Sequence, residues 1–279
     1  MPGRACRAGR PPASAWSLRV AALLPACALM LAVAPVCMAG STTVSSSVQA
    51  VAGPHELRYL GHAVAREDGR YLYTEVHRHR YDGQRWLAGS IRYVAPDGRL
   101  LGEKTLDFSA DPHVPVMRYQ LPGLGYEERI TRVDAAAFVL ARQRDGRQAQ
   151  RTLPRTPGQA ADAGFSVWIA GQLDTLAAGR SVSLRLAVAG QLDQYRFRIS
   201  PDGQLQLGGE NALRLRVRPD SALRLLVDPL EMVYGLDSRQ LLRYQGPSNV
   251  LDPVSGKAYD VVISYREVPP GAPGRLSQP

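Results

Sequence analysis

The chain has 279 residues and a formal charge of +9, and of its 34 basic residues only Lys104 and Lys257 are lysine. So lopsided a use of arginine, beside abundant alanine, reads as the codon habit of a GC-rich genome and not as a nucleic-acid surface. All three cysteines, Cys6, Cys27 and Cys37, precede Gly40, which excludes thiol chemistry and disulfides from everything after them.

Arg4, Arg7, Arg10 and Arg19 lead into an apolar run from Val20 to Val36 that closes on Cys37-Met38-Ala39. A charged leader, a short apolar core and a small-residue exit make an export signal over residues 1–39. The core is too short for a membrane span, which needs about 20 apolar residues. Cleavage after Ala39 is expected, with the mature chain in the periplasm and no transmembrane span in it. Leu24-Pro25-Ala26-Cys27 loosely resembles the box at which lipoproteins are acylated, but the apolar run continues past Cys27 where a lipoprotein turns polar. Lipid anchoring is therefore the weaker reading. Losing the four leader arginines takes the charge from +9 to +5, enough to draw the domain weakly to anionic envelope surfaces.

Residues 40–53 are rich in Ser, Thr, Val and Ala without period and read as a flexible linker. From Pro54 the turn chemistry becomes legible: Asp-Gly occurs at 68–69, 82–83, 97–98, 145–146 and 202–203, each between runs of β-forming residues. Gly supplies positive φ and Asp tolerates it, so each marks a hairpin. The strands expected between them are Glu56 to Ala65, Arg70 to Tyr81, Gln84 to Ala95 and Arg99 to Phe108, followed by Tyr126 to Val133, Ala136 to Arg144 and Arg147 to Leu153. Later strands run over Ser181 to Val188, Gln191 to Ser200, Gln204 to Leu207, Leu213 to Arg218, Leu230 to Leu236, Arg239 to Tyr244 and Tyr259 to Arg266. The segment from Gln245 to Gly256 reads as a long polar loop folded by Asn249 and Asp252, and Pro269 to Pro279 as a disordered tail.

One segment breaks the alternation. From Asp162 to Ala178, Phe165, Trp168, Ile169, Leu173 and Leu176 recur at helical spacing, with Asp162 placed as N-cap and Gly179 as C-cap. A second helical turn is expected over Ser221 to Leu226. A lone amphipathic helix in a ladder of strands buries its face by lying across the concave side of a curved sheet. The expected fold is mainly β: a single domain over 54–268, an antiparallel half-barrel or open barrel wrapped around one principal helix near 162–178.

The sharpest polar pattern lies on the second strand, where alternation puts Tyr71, Tyr73, Glu75, His77, His79 and Tyr81 on one face. Two strand-spaced imidazoles and a carboxylate could bind zinc if His55, His62 or His113 supplied a fourth ligand. Without that ligand the spacing reads as the solvated face of an amphipathic strand, and no metal or other cofactor is expected. No nucleophile elbow, Ser-x-x-Lys pair or phosphate loop is present, so no catalytic residue is assigned. Arginines alternate with apolar residues over Tyr195 to Ile199 and Leu213 to Arg218, a stripe that could hold phosphates but reads as a wet outer face. No nucleic-acid partner is expected, since the interleaved aromatics lie on the apolar face.

The run Tyr73-Thr74-Glu75-Val76-His77, then Tyr93, Pro96-Asp97-Gly98, Lys104 and Leu106-Asp107, later Asp162-Ala163-Gly164-Phe165, and finally Leu242 to Asn249, resembles a family of uncharacterised exported proteins of Gram-negative bacteria. That family is similar to the curved-sheet lipoprotein carriers of the periplasm. The resemblance implies a hydrophobic concavity and places Glu75, His77, Lys104, Asp162 and Asn249 in the family's pattern, without roles. Three readings follow. In the first, a non-enzymatic carrier holds a lipid or other apolar ligand under Phe165, Trp168, Ile169 and Leu173. In the second, an envelope scaffold or accessory protein fills its own core and meets other envelope proteins. In the third, the weakest, Glu75 and the histidines carry metal-assisted hydrolysis.

Overall fold

The computed structural model describes residues 53–220 and 229–269. The export signal, the linker as far as residue 52, the helical turn expected over Ser221 to Leu226 and the tail from residue 270 lie outside the described residues.

Among the described residues, alternating β-formers between turn residues make fifteen strands. They are β1 (Pro54–Ala65), β2 (Tyr71–Asp82), β3 (Arg85–Val94), β4 (Leu100–Asp107), β5 (Val116–Leu121), β6 (Tyr126–Thr131), β7 (Ala137–Arg144) and β8 (Arg147–Pro154). After them come β9 (Gln159–Ala161), β10 (Val182–Val188), β11 (Asp193–Leu207), β12 (Glu210–Pro219), β13 (Leu230–Gly235), β14 (Leu241–Leu251) and β15 (Ala258–Glu267). All belong to one sheet, ordered β8-β7-β6-β5-β4-β3-β2-β1-β15-β14-β13-β12-β11-β10-β9. Neighbours are antiparallel except β9 beside β10. The first strand pairs with the last, Tyr59 opposite Glu267 through Ala65 opposite Val261, which joins two meanders into one curved sheet.

The sheet does not close, because its end strands β8 and β9 share no ladder. Instead it rolls. Ala161 and Ala187 pack with Phe138 and Leu140 in one core, while Ala160 and Leu184 pack with the helical segment in a second. The β9–β10 end is thus covered on both faces. The 3-10 turn Ala189–Gln191 after β10 lies against β6 so closely that a Cβ on Gly190 would stand 2.6 Å from Glu128 Oε1. Arg142 reaches in from β7 and donates to the Gly190 carbonyl at 2.7 Å.

Turn chemistry accounts for most of the hairpins and corrects two expectations. Asp202-Gly203 does not reverse the chain: β11 runs through it with a register shift between Pro201 and Gln204. A positive-φ glycine serves a bulge as well as a turn, and Gly203 at φ 112° is used for the former. The reversal falls to Gly208-Gly209, both at positive φ. The long loop expected over Gln245 to Gly256 is mostly strand, since β14 continues to Leu251. Only the turn after it remains, where Asp252 accepts the Val254 amide at 2.8 Å. β5 and β9 were not expected; the first is short and flanked by Pro115 and Pro122, and the second has three residues.

The single helix over 162–178 is also corrected. Two short helices, α1 (Gly164–Ala170) and α2 (Leu173–Ala177), are separated at Gly171-Gln172. Glycine weakens a helix interior, and Arg239 takes the Ala170 carbonyl at 3.3 Å while forking onto Asp174 at 3.1 and 3.0 Å. That carbonyl would otherwise receive the next turn's amide. Asp162 is not a helix cap either: it sits at φ 46° and its carboxylate binds its neighbour's amide, Ala163, at 2.7 Å. Gly179 does end α2, at φ 81° with its amide on the Leu176 carbonyl.

Asp162-Ala163-Gly164 is wedged against the loop after β4. A Cβ on Gly164 would stand 2.0 Å from the His113 carbonyl oxygen, and backbone cannot swing aside as a side chain can. Gly164→Ala should therefore destabilise the fold by about 1–3 kcal/mol, the usual range for forcing extra atoms into a packed interior. Urea unfolding checks this, with Gly123→Ala, at a residue whose added Cβ meets nothing within 4 Å, as the control that should stay within about 0.5 kcal/mol.

Candidate functional site

Alternation along β2 sends Arg78 and Arg80 outward and the Tyr73, Glu75, His77, His79 face inward. That face was expected in water. It is buried instead: Glu75 is 3% exposed, His77 8% and His79 9%. Two arginines on the opposite face have no interior partners and claim the solvent, whereas a carboxylate and two imidazoles can satisfy one another.

They do so in a row. Glu75 Oε2 lies 2.8 Å from His77 Nε2 and accepts from the Tyr265 hydroxyl at 3.1 Å. His77 Nδ1 lies 3.2 Å from His79 Nε2. His79 stacks on Trp86 with centroids 4.1 Å apart, and Trp86 on Phe108 at 4.3 Å. Both ring nitrogens of His77 are therefore engaged by protein groups. His55 stacks on Tyr81, and His62 lies 3.3 Å from the Thr74 hydroxyl, so neither joins the row. His113 gives its backbone carbonyl to the Ala161 amide. Among the described residues no group of three His, Cys, Asp or Glu is arranged to hold a metal.

A second buried pair stands nearby. Lys104 on β4, 3% exposed, donates to Asp162 Oδ2 at 2.6 Å and lies 5.2 Å from the centre of the Tyr119 ring. Tyrosines fill the space between the pairs. The Tyr73 and Ser248 hydroxyls are hydrogen-bonded at 2.6 Å, Tyr119 donates to the Asn249 carbonyl at 2.7 Å, and Tyr93 lies between Tyr73 and Tyr119 with its hydroxyl unpartnered. The residues flagged by family resemblance thus meet in one chamber. Glu75, His77, Lys104 and Asp162 do so through side chains, and Asn249 through its backbone.

Burial and then the Glu75 charge push the Tyr73 and Tyr93 hydroxyls well above the usual tyrosine range, so both stay protonated. Tyr81, at the edge of the chamber, is pushed up to about 12, by burial first. Burial likewise raises the Glu128 carboxyl. His79 is held well below the usual histidine range, by burial and then by His77. The chamber keeps protons on hydroxyls and off His79, an arrangement suited to holding a fixed set of hydrogen bonds.

The candidate roof residues lie in the second core. Phe165, Ile169 and Leu173 are 8%, 0% and 1% exposed, and Trp168 is partly buried against the same cluster. Facing them are Leu184, Leu213, Leu215 and Met232 from the sheet. The arginine stripe is on the outer face: Arg198 stands directly opposite Arg218, both exposed, and Arg216 is paired with Asp202 at 2.8 Å. A groove of about 300 Å³ opens beside Thr105, Asp107, Val116 and Arg129 on β4 to β6.

No family model matches the chain, and no curated protein matches it. Among solved structures it is similar to a beta-barrel-like protein of the domain of unknown function DUF1849 from Brucella abortus, at 8% sequence identity and a TM-score of 0.40. The match covers 78% of this chain and 96% of that one.

Two predictions follow from the chamber's charges. Lys104→Met should destabilise by about 3–5 kcal/mol, because it leaves Asp162 buried and uncompensated. Removing both charges with Lys104→Met and Asp162→Asn should cost less than the lysine change alone; additive losses in a urea double-mutant cycle would show that the pair does not act as one.

The second concerns acid. A histidine held neutral in the fold protonates when the chain unfolds, so the unfolded state binds more protons below the ordinary histidine value of about 6.5. The stability tied to His79 is therefore complete above that value and is lost as pH falls below it. Between about pH 7 and pH 5 one such proton contributes a slope of up to about 1.4 kcal/mol per pH unit. His79→Phe, which keeps the stack on Trp86, should make the measured slope shallower. His62 and His113, also lowered by burial, retain their share.

Proposed function

We propose that this is an exported, non-enzymatic protein of the bacterial cell envelope whose rolled sheet is filled by its own side chains, and which works through its surface as a scaffold or accessory to other envelope proteins. The observation that carries this reading is the near-complete burial of Phe165, Ile169 and Leu173 against side chains of β10, β12 and β13. A carrier would need those residues as the roof of a space; here the roof rests on the floor. The charged leader before Ala39 supports periplasmic location and membership of the uncharacterised exported family. Against hydrolysis stands the row on β2, in which Glu75, His77 and His79 are engaged with one another and with Tyr265.

The test uses the emission of Trp168 in the exported, processed protein with Trp86→Phe, which leaves Trp168 as the sole tryptophan if cleavage falls after Ala39. Fatty acid and phospholipid titrations should leave the emission unmoved. Ile169→Ala should lose the full 2–5 kcal/mol or so of a packed core residue. A saturable emission shift at stoichiometric lipid, with a smaller loss in Ile169→Ala, would replace the scaffold by the carrier.

A further inference from the structure

The proposed surface function leaves open which surface is used, and the roll of the sheet singles one out. Because the β9–β10 end is tucked against the inner face of β6 and β7, the other end of the sheet overhangs it. β8 is that end. Residues Arg147 to Thr152 are all exposed, on both faces of the strand, and among the described residues β7 is their only ladder partner.

The register shows which backbone groups are unpaired. Asp145 and Gly146 both have positive φ, at 51° and 72°, which makes the β7–β8 connection a two-residue turn whose flanking pair, Arg144 and Arg147, is hydrogen-bonded. In an antiparallel ladder hydrogen-bonded pairs alternate with non-bonded ones. Arg142 with Ala149, Leu140 with Arg151 and Phe138 with Leu153 are then the bonded pairs. The Arg155 amide on the Ala136 carbonyl, at 2.8 Å, continues the same phase. Gln148, Gln150 and Thr152 consequently turn their amides and carbonyls away from β7. Pro154, next in that phase, has no amide to offer, and its carbonyl already takes the Gln159 side chain at 3.3 Å.

Charge says what would pair there. The hairpin carries Arg142, Arg144, Arg147 and Arg151 against the single acid Asp145, and the register puts all four arginines on one face. Arg142 is committed to the Gly190 carbonyl and Arg151 to Asp193 at 2.9 Å. Arg147 makes no ion pair or side-chain hydrogen bond among the described residues. An edge dressed only to repel other strands would also carry such charges, but it is usually short or covered, and this one offers three consecutive outward amides.

We propose that β8 is a docking edge for an extended acidic segment of a partner protein, which adds as a sixteenth strand. Its backbone pairs with Gln148, Gln150 and Thr152, and a carboxylate on the arginine face meets Arg147. A second copy of β8 is a poor occupant: antiparallel pairing through Gln148, Gln150 and Thr152 would set Arg151 of one copy opposite Ala149 of the other and diagonal to its Arg147 and Arg151, gathering like charges on one face. This proposal deepens the scaffold reading and rests on it.

The probe is a short capped peptide alternating threonine and glutamate, with a threonine–lysine peptide as control. Binding is followed by fluorescence anisotropy and amide exchange by NMR. The acidic peptide should bind and slow exchange at Gln148, Gln150 and Thr152, and the lysine peptide should not. Gln150→Pro removes one outward amide at a position where an edge strand accepts proline, and should weaken binding about tenfold or more with an unchanged unfolding midpoint. If that variant unfolds, Arg147→Glu, at an exposed residue outside both cores, carries the test with the same expected loss.

Absence of binding, or equal affinity in both variants, overturns the proposal. So does protection of the same amides by self-association without peptide, which would make a second copy the occupant. Adsorption to anionic phospholipid vesicles that is lost in Arg147→Glu, with no peptide binding, would make the edge a membrane contact instead. The Trp168 titration separates the two levels of inference. An emission shift with lipid removes the scaffold reading whatever the edge does, while a silent Trp168 with an inert β8 leaves a scaffold that works through another surface.

Discussion

A twisted sheet of more than about ten strands has to curl, split or flatten, and this one, with fifteen among the described residues, curls until one end lies inside the other. The rest of the structure depends on that overlap. Burying β9 and β10 on both faces requires small residues there, and Ala160, Ala161 and Ala187 supply them. The same overlap divides the interior in two. One part is apolar and plugged by α1 and α2; the other collects the charged and hydroxylated side chains of β2, β4 and β5.

Charges in that second part are tolerable only because they come in matched sets. An isolated buried carboxylate or ammonium carries a desolvation penalty of several kcal/mol, which explains why Glu75 faces His77 and Tyr265 and why Lys104 faces Asp162. Apolar residues of equal volume would often be as stable, so the pairs are weak evidence for added stability; what their placement constrains is register. A one-residue slip of β2 would carry Glu75 and His77 to the outer face and Arg78 to the inner one, and Lys104 pins Asp162, hence the start of α1, to β4. The conformation of Asp162, left-handed without being glycine, is held by that contact and by its own carboxylate on the Ala163 amide.

Much of the fold was legible because it is local. Asp-Gly turns and alternating strands require only neighbours in sequence, and the fourteen expected strands fall on thirteen of the observed ones, two of them merged in β11. Asp202-Gly203 shows the limit: the dipeptide reports positive φ and not whether the chain reverses there. The helix was legible as an apolar stripe but not as two pieces, since the break depends on Arg239, 69 residues after Ala170. The chamber was half legible. Glu75, His77 and His79 were placed correctly on one face of one strand, and the error lay in the side on which water stood. Polarity alone gives the wrong answer where polar groups complete one another, and the completing groups, Tyr265 and Trp86, come from other strands.

What the interior holds bears on where function can reside. The roof residues Phe165, Ile169 and Leu173 are spent on the sheet, both ring nitrogens of His77 on its neighbours, and Lys104 on Asp162. Among the described residues the chamber's buried unpartnered side-chain atom is the Tyr93 hydroxyl, which lies between the two charged pairs and contributes a single donor and acceptor. A rolled sheet can hide one of its two ends but not both. The end that is hidden closes the cores, and the end that overhangs keeps an unpaired backbone edge beside four arginines. Stability has been concentrated inside the roll, and backbone groups that another strand could pair remain where the roll stops.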